Sequence, residues 1–498
     1  MELLIALDLG TSSIRALAFT LSGNLELSFS RIVPLVYPQS GFVEQDPLQI
    51  LSAALAVLKD LEEALNAQSA KPVSIGITNQ RESIIAWDRH NCNILYPLIS
   101  WQDSRTQGYC RSLESQIDLA DLKSKTGLEL NPYFSASKIW WLKHNNYLKN
   151  AISPTVATLD SFIAWHLMGA RSDSPLVTDV SNASRTLLMN LDTCNYDDEL
   201  LDIFGVNRDW LPEIVPTVSS LPMPIAPGMP FAGLFVTCLI GDQQASLFGH
   251  NCLEKGATKA THGTGTFVVS NVGGTRIRPE SQVLESVAWQ IGAAKVQYCL
   301  EGTIFASGSL VRWLRDSLGL ISNYSDIESI LNQTKSSEGV VFIPAFNGLG
   351  TPYWINDVKG TIFGISSTTT GANIVRAGIE GIVVRTHEVV DAIEANLGSE
   401  LSCLKIDGGL SQSDAFAQLQ ADQLQKKIKR PRNIEATALG AALLGGIGNG
   451  VNEREASFGS LTDVDIFEPH SRPSASNARR KLWDQYMVRL TGNVPLQT

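Results

Sequence analysis

Two adjacent residues, Arg81 and Glu82, carry side chains that could hold neighbouring hydroxyl groups of a small polyol. A guanidinium presents a planar fork of hydrogen-bond donors, and the carboxylate beside it supplies acceptors. The alternative is an internal ion pair, which is the more frequent case for an isolated Arg-Glu dipeptide. Asp242 also has two interpretations, because an aspartate at this turn could cap a helix or could accept the proton of a hydroxyl as it is phosphorylated.

Three turns rich in small residues lie beside apolar segments and could bind phosphate. They are Asp8-Leu9-Gly10-Thr11-Ser12-Ser13, His262-Gly263-Thr264-Gly265-Thr266 and Asp407-Gly408-Gly409-Leu410-Ser411. Glycine lets the backbone approach a phosphate, and N–H and hydroxyl groups then donate to it. Each turn alone is explained equally well by ordinary turn chemistry. Their occurrence in both halves of the chain favours the functional interpretation.

Several other classes of site are excluded by the motifs. No G-x-x-x-x-G-K-[ST] occurs, and no G-x-G-x-x-G lies between a strand and a helix, so the chain has neither a P-loop nor a Rossmann site. The histidines and the seven cysteines show no zinc-ligand spacing, which fits reduced thiols in the cytosol. Mg²⁺ bound through nucleotide phosphates is the one metal that we expect, since phosphoryl transfer needs positioning and charge neutralisation.

Three aromatic residues, Trp101, Tyr133 and Phe267, could form an apolar wall for the carbon face of a polyol. Aromatic side chains are far more often part of a core.

The elements that must position these residues alternate between strands and helices. We predict a strand at 3–7 followed by a returning strand at 14–21, a helix at 47–68, and strands at 73–77 and 84–87. The second half repeats this pattern weakly, with residues 258–265 in the place of 8–13. There we predict a helix at 374–397, a strand at 401–406, a helix at 436–444, and a surface helix at 474–490 with a loose tail. We predict an α/β fold.

Length and charge limit the remaining possibilities. A chain of 498 residues predicts two domains, which we place at 1–247 and 248–498 with a cleft between them. The net charge of -11 argues against a surface for nucleic acid or an anionic membrane. No uncharged apolar stretch reaches the length that crosses a bilayer, which takes about 20 residues. We therefore expect a cytoplasmic protein with a small-molecule partner.

Longer motifs resemble the FGGY family of carbohydrate kinases, and within it the branch that phosphorylates glycerol. These motifs are residues 76–82 (GITNQRE), 131–138 (NPYFSASK), 178–186 (TDVSNASRT), 241–245 (GDQQA) and 346–354 (FNGLGTPYW). The resemblance implies two RNase H-like α/β domains of the actin-like ATPase (sugar kinase/Hsp70/actin) type with an interdomain cleft. It also implies ATP-dependent conversion of glycerol to sn-glycerol 3-phosphate by direct in-line transfer, and a homodimer or homotetramer.

The resemblance further implies a role for each candidate residue. Asp242 would be the general base, and Asp8 and Asp242 would hold Mg²⁺. The implied polyol-binding set is Arg81, Glu82, Trp101, Tyr133, Asp242, Gln243 and Phe267. The implied ATP-binding set is Thr11, Ser12, Ser13, Arg15, Thr264, Gly265, Gly308, Gly409 and Ser413.

The sequence departs from the pattern of that branch at several positions, namely Leu9, Asp103 within 101–105, His262 and Arg312. The first two are compatible with another acceptor, such as erythritol, ribulose or xylulose. A third hypothesis is a non-catalytic ATP-dependent switch. Between residues 221 and 241 there is no Gly-Gly-Thr-Arg loop of the kind through which some bacterial members bind fructose bisphosphate, and the same letters at 273–276 lie elsewhere. We expect that this regulation is absent.

Overall fold

The structure is a computed structural model that describes residues 1–280, 283–432, 435–451 and 463–492. Its contacts divide these residues into two compact units. The first unit holds the described residues of 1–251, of 285–298 and of the segment that begins at Glu435, and the second unit holds the others. The predicted boundary between Leu247 and Phe248 falls inside a helix, Asp242–Gly249, and the exact domain limits stay a prediction.

Strands and helices alternate through the first half of the chain, as predicted. In chain order they are β1 Glu2–Leu9, β2 Ser13–Thr20, β3 Leu25–Ile32, β4 Glu44–Gln45, α1 Pro47–Ala67, β5 Lys71–Asn79, β6 Ile84–Asp88, β7 Ile94–Ile99, α2 Gln107–Glu114, α3 Leu119–Thr126, α4 Ser135–His144, β8 Pro154–Thr158, α5 Leu159–Leu167, β9 Val177–Asp179, α6 Val180–Ala183, β10 Met189–Asn190, β11 Asn195–Tyr196, α7 Asp198–Phe204, β12 Glu213–Val215, β13 Val236–Gly241 and α8 Asp242–Gly249.

The second half continues in the same way. Its elements are β14 Thr258–His262, β15 Thr266–Gly273, β16 Leu284–Trp289, β17 Gln297–Ile304, α9 Gly308–Asp316, α10 Ser325–Gln333, β18 Val341–Ile343, β19 Thr361–Phe363, α11 Gly371–Leu397, β20 Cys403–Asp407, α12 Asp414–Leu424, β21 Lys427–Pro431, α13 Ala436–Gly448, β22 Val464–Phe467 and α14 Pro473–Thr491.

The central sheet of the first unit is built around the apolar N-terminal strand. β1 pairs antiparallel with β2 and parallel with β5, in the order β13-β5-β1-β2-β3. Residues 3–7 are fully buried, as expected for a strand covered on both faces. The predicted strands of this sheet are confirmed. β5 is longer than predicted, because Thr78 and Asn79 continue its ladder beside Asp8 and Gly241 instead of beginning a loop.

The second unit repeats this plan. β14 pairs antiparallel with β15 and parallel with β20, and β20 pairs parallel with β21. The strand order β17-β15-β14-β20-β21 therefore matches β3-β2-β1-β5-β13 of the first unit. The loop at 263–265 lies in its hairpin where the loop at 10–12 lies in the first. The predicted internal repeat is confirmed.

A smaller sheet of the first unit brings distant segments to the same place. Its order is β4-β7-β6-β8, with Gln45 opposite Leu98 and Ile84 opposite Ile99. The segment before β6 and the segment after β7 therefore meet close to β4. These two segments contain the Arg81-Glu82 pair and Trp101.

Helix α13 fixes the position of α8, which begins with Asp242. A Cβ atom added to Gly440 would lie 1.9 Å from the carbonyl oxygen of Ala245, and one added to Gly249 would lie 1.8 Å from that of Ala436. Only glycine allows two helix backbones to approach so closely. This crossing belongs to the first unit, although α13 follows most of the second unit in sequence.

The last described helix is a surface helix, as the sequence predicts, and one narrow face of it is buried. α14 spans Pro473–Thr491 and buries Trp483 and Met487 in a cluster with Ile343 and Val384. The indole of Trp483 donates to Oε1 of Glu388 at 2.9 Å. Most other residues of α14 are exposed or half-buried, in agreement with the polar composition of this segment. Of the tail predicted after Leu490, Thr491 belongs to α14 and residues 493–498 lie outside the described residues.

The predicted helices at 47–68, 374–397 and 436–444 are confirmed as α1, α11 and α13. α1 begins after Asp46, whose carboxylate accepts from the N–H of Leu48 at 2.9 Å. Among the described helices, none combines the length and the apolar character that spanning a bilayer requires.

Candidate active site

Polar residues of the first unit collect at one edge of its central sheet, namely the edge at which the parallel strands β1, β5 and β13 end. Asp8 lies opposite Thr78, and Gly241 lies opposite Asn79, so β5 separates the ends of β1 and β13. Neighbouring strands are about 4.8 Å apart, which places the backbones of Asp8 and Gly241 about 10 Å from each other. Asp242 follows Gly241 directly. Asp8 and Asp242 therefore both lie at this edge of the sheet.

The predicted phosphate loop is a tight hairpin turn beside this edge. Gly10 N–H donates to the carbonyl of Ser13 at 3.1 Å. Arg15 donates from Nη2 to Oδ2 of Asp8 at 2.5 Å and from Nη1 to Oε2 of Glu435 at 2.7 Å. Burial lowers the pKa of Arg15, but the two carboxylates outweigh that effect and raise it. The loop residues Thr11, Ser12 and Ser13 are at least partly exposed.

Arg81 lies at the ends of β5 and β13 and is buried. Its Nε lies 3.3 Å from Oδ1 of Asp242, and its Nη1 donates to Oε1 of Gln244 at 3.2 Å. A Cβ atom on Gly241 would lie 2.7 Å from Cδ of Arg81, so the glycine makes room for the arginine. Asp242 is the first residue of α8 and Gly241 is the N-cap, which corrects the capping interpretation of Asp242.

Glu82 is held by residues far away in sequence. Arg185 donates from Nε to Oε1 of Glu82 at 2.6 Å, whereas Nε of Arg81 lies 3.9 Å from the same oxygen. The carbonyl of Glu82 accepts from Ser135 Oγ at 3.2 Å, and its φ of 60° lies in the left-handed region. The predicted ion pair between Arg81 and Glu82 is therefore present, but each side chain has a closer partner of opposite charge.

Two members of the predicted aromatic wall are in contact. The rings of Trp101 and Tyr133 meet edge to face with 5.9 Å between centroids. Tyr133 follows Asn131, whose side chain accepts from its N–H at 3.0 Å. Gln243 is buried on α8. Phe267 lies on β15 of the second unit, opposite Thr261.

The departure at Asp103 has a structural explanation. Oδ2 of Asp103 accepts from Val43 N–H at 2.7 Å and from Nη2 of Arg105 at 2.7 Å. Arg105 also donates to Glu44 and lies over the ring of Phe42. This buried network joins the loop after β7 to the segment before β4. Leu9 is likewise a buried core residue of β1.

In the second unit, the hairpin loop at 263–265 contacts the start of α9. The N–H of Gly308 donates to the carbonyl of Gly263 at 2.9 Å, and the N–H groups of Ser307 and Ser309 donate to the carbonyl of Thr264. A Cβ atom on Gly308 would lie 2.6 Å from the Gly263 oxygen. Gly308 therefore supports the predicted phosphate loop of this unit.

Two of the predicted adenosine residues, Gly409 and Ser413, line a pocket of about 410 Å³ with Tyr324, Glu328 and Leu410. Ser413 donates to Oε2 of Glu328 at 2.5 Å and caps α12 by accepting from Phe416 N–H. Gly308 does not line this pocket.

The two remaining departures lie in the second unit and differ in burial. Arg312 is exposed on α9. His262 is buried, with Nδ1 2.9 Å from Thr266 Oγ1 and Nε2 3.0 Å from Gln420 Nε2. Burial lowers the pKa of His262 to about 4, which keeps the ring neutral.

The sequence did not indicate a role for several residues that contact and position the candidate site. Arg185 and Lys138 lie within family motifs, but nothing local indicates that both turn toward Glu82. Nζ of Lys138 donates to the carbonyl of Tyr133 at 2.5 Å, and burial lowers the pKa of Lys138 to about 8. Gln45 carries no motif at all, yet it contacts the phosphate loop.

The carboxylates at the sheet edge fit Mg²⁺. In the described ranges, no three His, Cys, Asp or Glu side chains converge as they would around a metal held by the protein alone. Mg²⁺ that also binds nucleotide phosphates needs only one or two carboxylates. Asp8 and Asp242 supply two at one edge of the sheet.

Comparison with known proteins places this geometry in a family. The model of the FGGY family of carbohydrate kinases, N-terminal domain, matches residues 3–249, and that of the C-terminal domain matches 258–448. The chain is 40% identical over 488 residues to a protein named glycerol kinase from Aquifex aeolicus, covering 97% of this chain and 96% of that protein. It is 37% identical over 500 residues to another of that name from Acinetobacter baylyi, covering 99% and 100%.

Solved structures agree in fold. The crystal structure of Plasmodium falciparum glycerol kinase with ADP is similar with a TM-score of 0.89 at 29% identity, covering 99% of this chain and 98% of that one. A ligand-bound xylulose kinase from Lactobacillus acidophilus has a TM-score of 0.84 at 22% identity, covering 98% and 97%. The predicted two-domain fold of the actin-like ATPase type is thereby confirmed. The chain belongs to the FGGY family of carbohydrate kinases.

Proposed function

We propose that this protein transfers the γ-phosphoryl group of ATP to a terminal hydroxyl of glycerol, giving ADP and sn-glycerol 3-phosphate. The observation that carries the proposal is the buried guanidinium of Arg81, 3.3 Å from Asp242 and adjacent in sequence to Glu82. This arrangement offers donors and acceptors to neighbouring hydroxyls within one small volume. The names of the full-length relatives support the choice of glycerol.

The acceptor is held by polar and apolar contacts together. Arg81 and Glu82 bind neighbouring hydroxyl groups, while the edge-to-face pair of Trp101 and Tyr133 covers the carbon chain. Gln243 and Phe267 complete the polyol-binding set. The rigid hydrogen bonds around Glu82 mean that its carboxylate needs little reorganisation when the polyol arrives.

Transfer is a direct in-line displacement. The terminal hydroxyl oxygen forms the new O–P bond, the bond from the γ-phosphorus to the bridging oxygen breaks, and ADP leaves. Asp242 accepts the hydroxyl proton as the oxygen becomes acidic. The side chain of Asp242 is 30% exposed, so an acceptor hydroxyl can reach its carboxylate. The neighbouring Arg81 is buried.

The proposed ATP-binding residues divide between the phosphates and adenosine. Thr11, Ser12, Ser13 and Arg15 approach the phosphates, as do Thr264 and Gly265, and Gly308, Gly409 and Ser413 lie near adenosine. Asp8 and Asp242 hold Mg²⁺, which when bound neutralises phosphate charge. A hairpin turn with N–H and hydroxyl donors suits phosphate binding.

The alternative of a keto-sugar acceptor loses its main support, because Asp103 is engaged by Val43 and Arg105. The alternative of a non-catalytic switch does not explain why Arg81, Glu82 and Asp242 lie together. Both alternatives stay testable.

The test follows ADP release from the purified protein with MgATP. Its arms are no acceptor, glycerol, erythritol, ribitol, xylulose and ribulose. The proposal expects the largest kcat/KM for glycerol. A larger value for another acceptor refutes glycerol and keeps the kinase, and ATP turnover that ignores every acceptor but responds to a protein partner favours the switch.

We also expect a cytoplasmic homodimer or homotetramer that binds neither nucleic acid nor membranes, in line with the net charge of -11. Light scattering during gel filtration gives the oligomeric state. Adding fructose bisphosphate to the same assay should leave turnover unchanged.

A further inference from the structure

Five buried or partly buried residues of the first unit form a closed ring of hydrogen bonds. The bonds run from Trp101 Nε1 to Thr11 Oγ1 (3.0 Å), from Gln45 Nε2 to the Thr11 carbonyl (2.8 Å), from Gln80 Nε2 to Gln45 Oε1 (2.9 Å), from Ser83 Oγ to Gln80 Oε1 (3.1 Å), and from the Trp101 N–H to Ser83 Oγ (3.0 Å). Thr11 of the phosphate loop thus accepts two of the five hydrogen bonds, one at its hydroxyl and one at its carbonyl.

The donors and acceptors in this ring are mutually consistent. Gln45 and Gln80 each donate with the amide nitrogen and accept with the amide oxygen, and Ser83 donates and accepts through one hydroxyl. Both glutamines are 1% exposed. Reversing the Gln45 amide would oppose like atoms at both of its bonds, and reversing the Gln80 amide would place its oxygen against Oε1 of Gln45. The ring therefore has one low-energy arrangement.

The ring joins parts of the unit that come from different sheets. Thr11 lies in the hairpin of the central sheet, whereas Gln45 lies on β4 and Trp101 follows β7 of the smaller sheet. Gln80 directly precedes Arg81, and the ring of Trp101 contacts that of Tyr133. One hydrogen-bonded circuit thus connects the phosphate loop with the acceptor wall.

We propose that Gln45 and Gln80 are positioning residues that hold Thr11 of the phosphate loop in register with Trp101 of the acceptor wall. The inference rests on the proposed function, since it takes Thr11 to approach the phosphates and Trp101 to contact the polyol. The ring makes binding at one side favour binding at the other, because both ligands require the same arrangement of the circuit. Neither glutamine touches a substrate in this proposal.

The variants that test the ring are Gln45→Leu, Gln80→Leu and their double variant. Leucine is close to glutamine in size but cannot hydrogen bond. Gln49→Leu is the matched control, because Gln49 is exposed on α1 four residues away. The probe is the Mg²⁺ complex of the non-hydrolysable β,γ-imido analogue of ATP, with its Kd measured by calorimetry with and without saturating glycerol.

We expect each single variant to raise the analogue Kd about tenfold, the effect expected when a buried hydrogen-bonding group loses its partner. The double variant should also show about a tenfold rise, since one broken bond already opens the circuit. Glycerol should tighten analogue binding in the wild type and no longer do so in Gln45→Leu. A purely structural defect would lower Tm without this loss of coupling.

The proposal is overturned if Gln45→Leu binds the analogue like Gln49→Leu, if the two single effects multiply in the double variant, or if glycerol has no influence on the wild type. If Gln45→Leu does not fold, Trp101→Phe is the second variant. It removes the bond from Trp101 Nε1 to Thr11 Oγ1 and must also weaken analogue binding. A wild type that phosphorylates no acceptor refutes the proposed function, whereas an active wild type with unchanged variants refutes only the ring.

Discussion

Arg185 donates from Nε to Oε1 of Glu82 at 2.6 Å, and both side chains are almost completely buried. The same guanidinium lies 5.8 Å from the ring centroid of Tyr133, and its Nη1 donates to Ser286 Oγ at 2.9 Å. One arginine outside the predicted acceptor set therefore supports two members of it.

Arg185→Lys should impair acceptor binding more than nucleotide binding. Lysine keeps the charge but loses the planar fork and the stacking surface, so Glu82 and Tyr133 lose their common support. We expect KM for glycerol to rise about tenfold while KM for MgATP changes less than about twofold, the tenfold being the order expected for one charged hydrogen bond. Steady-state kinetics check this, with the exposed Arg111→Lys as the control. Equal rises in both KM values would contradict the assignment.

Asp242→Asn should reduce turnover and leave nucleotide binding nearly intact. The amide has almost the shape of the carboxylate but cannot accept the hydroxyl proton, and general-base catalysis contributes about 10²–10⁴-fold. We expect kcat for glycerol phosphorylation to fall by that order, while the Kd of the Mg²⁺–ATP analogue stays within a few-fold, because Asp8 and the phosphates still hold Mg²⁺. Turnover near that of the wild type would show that Asp242 is not the base.

Asp160→Asn should stabilise the protein in a pH-dependent way. Burial, and secondarily Asp179, raises the pKa of Asp160 from 3.8 to about 7, and Thr178 Oγ1 lies 2.9 Å from its Oδ2. Between these pH values the folded state binds the extra proton, so wild-type stability falls as pH rises, by at most about 1.4 kcal/mol per pH unit. Asparagine does not titrate.

The Tm of Asp160→Asn should therefore exceed that of the wild type by an amount that grows from about pH 5 to 7 and levels off above about pH 8. Asp173→Asn, at an exposed carboxylate, should show no such trend. A constant Tm difference across this range would argue against the raised pKa.

Gly440→Ala should destabilise the α8–α13 crossing. The added methyl group would lie 1.9 Å from the carbonyl oxygen of Ala245, so the two helices must separate. Overpacking of this kind costs about 1–3 kcal/mol or more, and α8 carries Asp242 at its first position. We expect a lower Tm together with a lower kcat. Gly108→Ala, where a Cβ meets nothing within 4 Å, serves as the control and should not lower Tm.

Much of the fold could be predicted locally. The buried run at 3–7, the helix after Pro47 and the Ala/Leu-rich α13 follow from apolar spacing and turn chemistry, which depend only on neighbouring residues. The candidate site was partly visible for the same reason, since Arg81-Glu82 and the glycine turns show their chemistry in a few adjacent letters. Roles for these residues came from the resemblance to the family.

Tertiary structure alone decided which of these groups meet. Glu82 pairs more closely with Arg185, 103 positions away, than with its neighbour Arg81. Gln45, which lies in no motif, reaches the carbonyl of Thr11, and Trp483 of an apparently polar helix turns inward to Glu388. Local sequence determines what a segment can form and what chemistry it carries. Partners across the chain are chosen by the packing of sheets and helices, because a hydrogen bond depends on ångström-scale distances that only the assembled core sets.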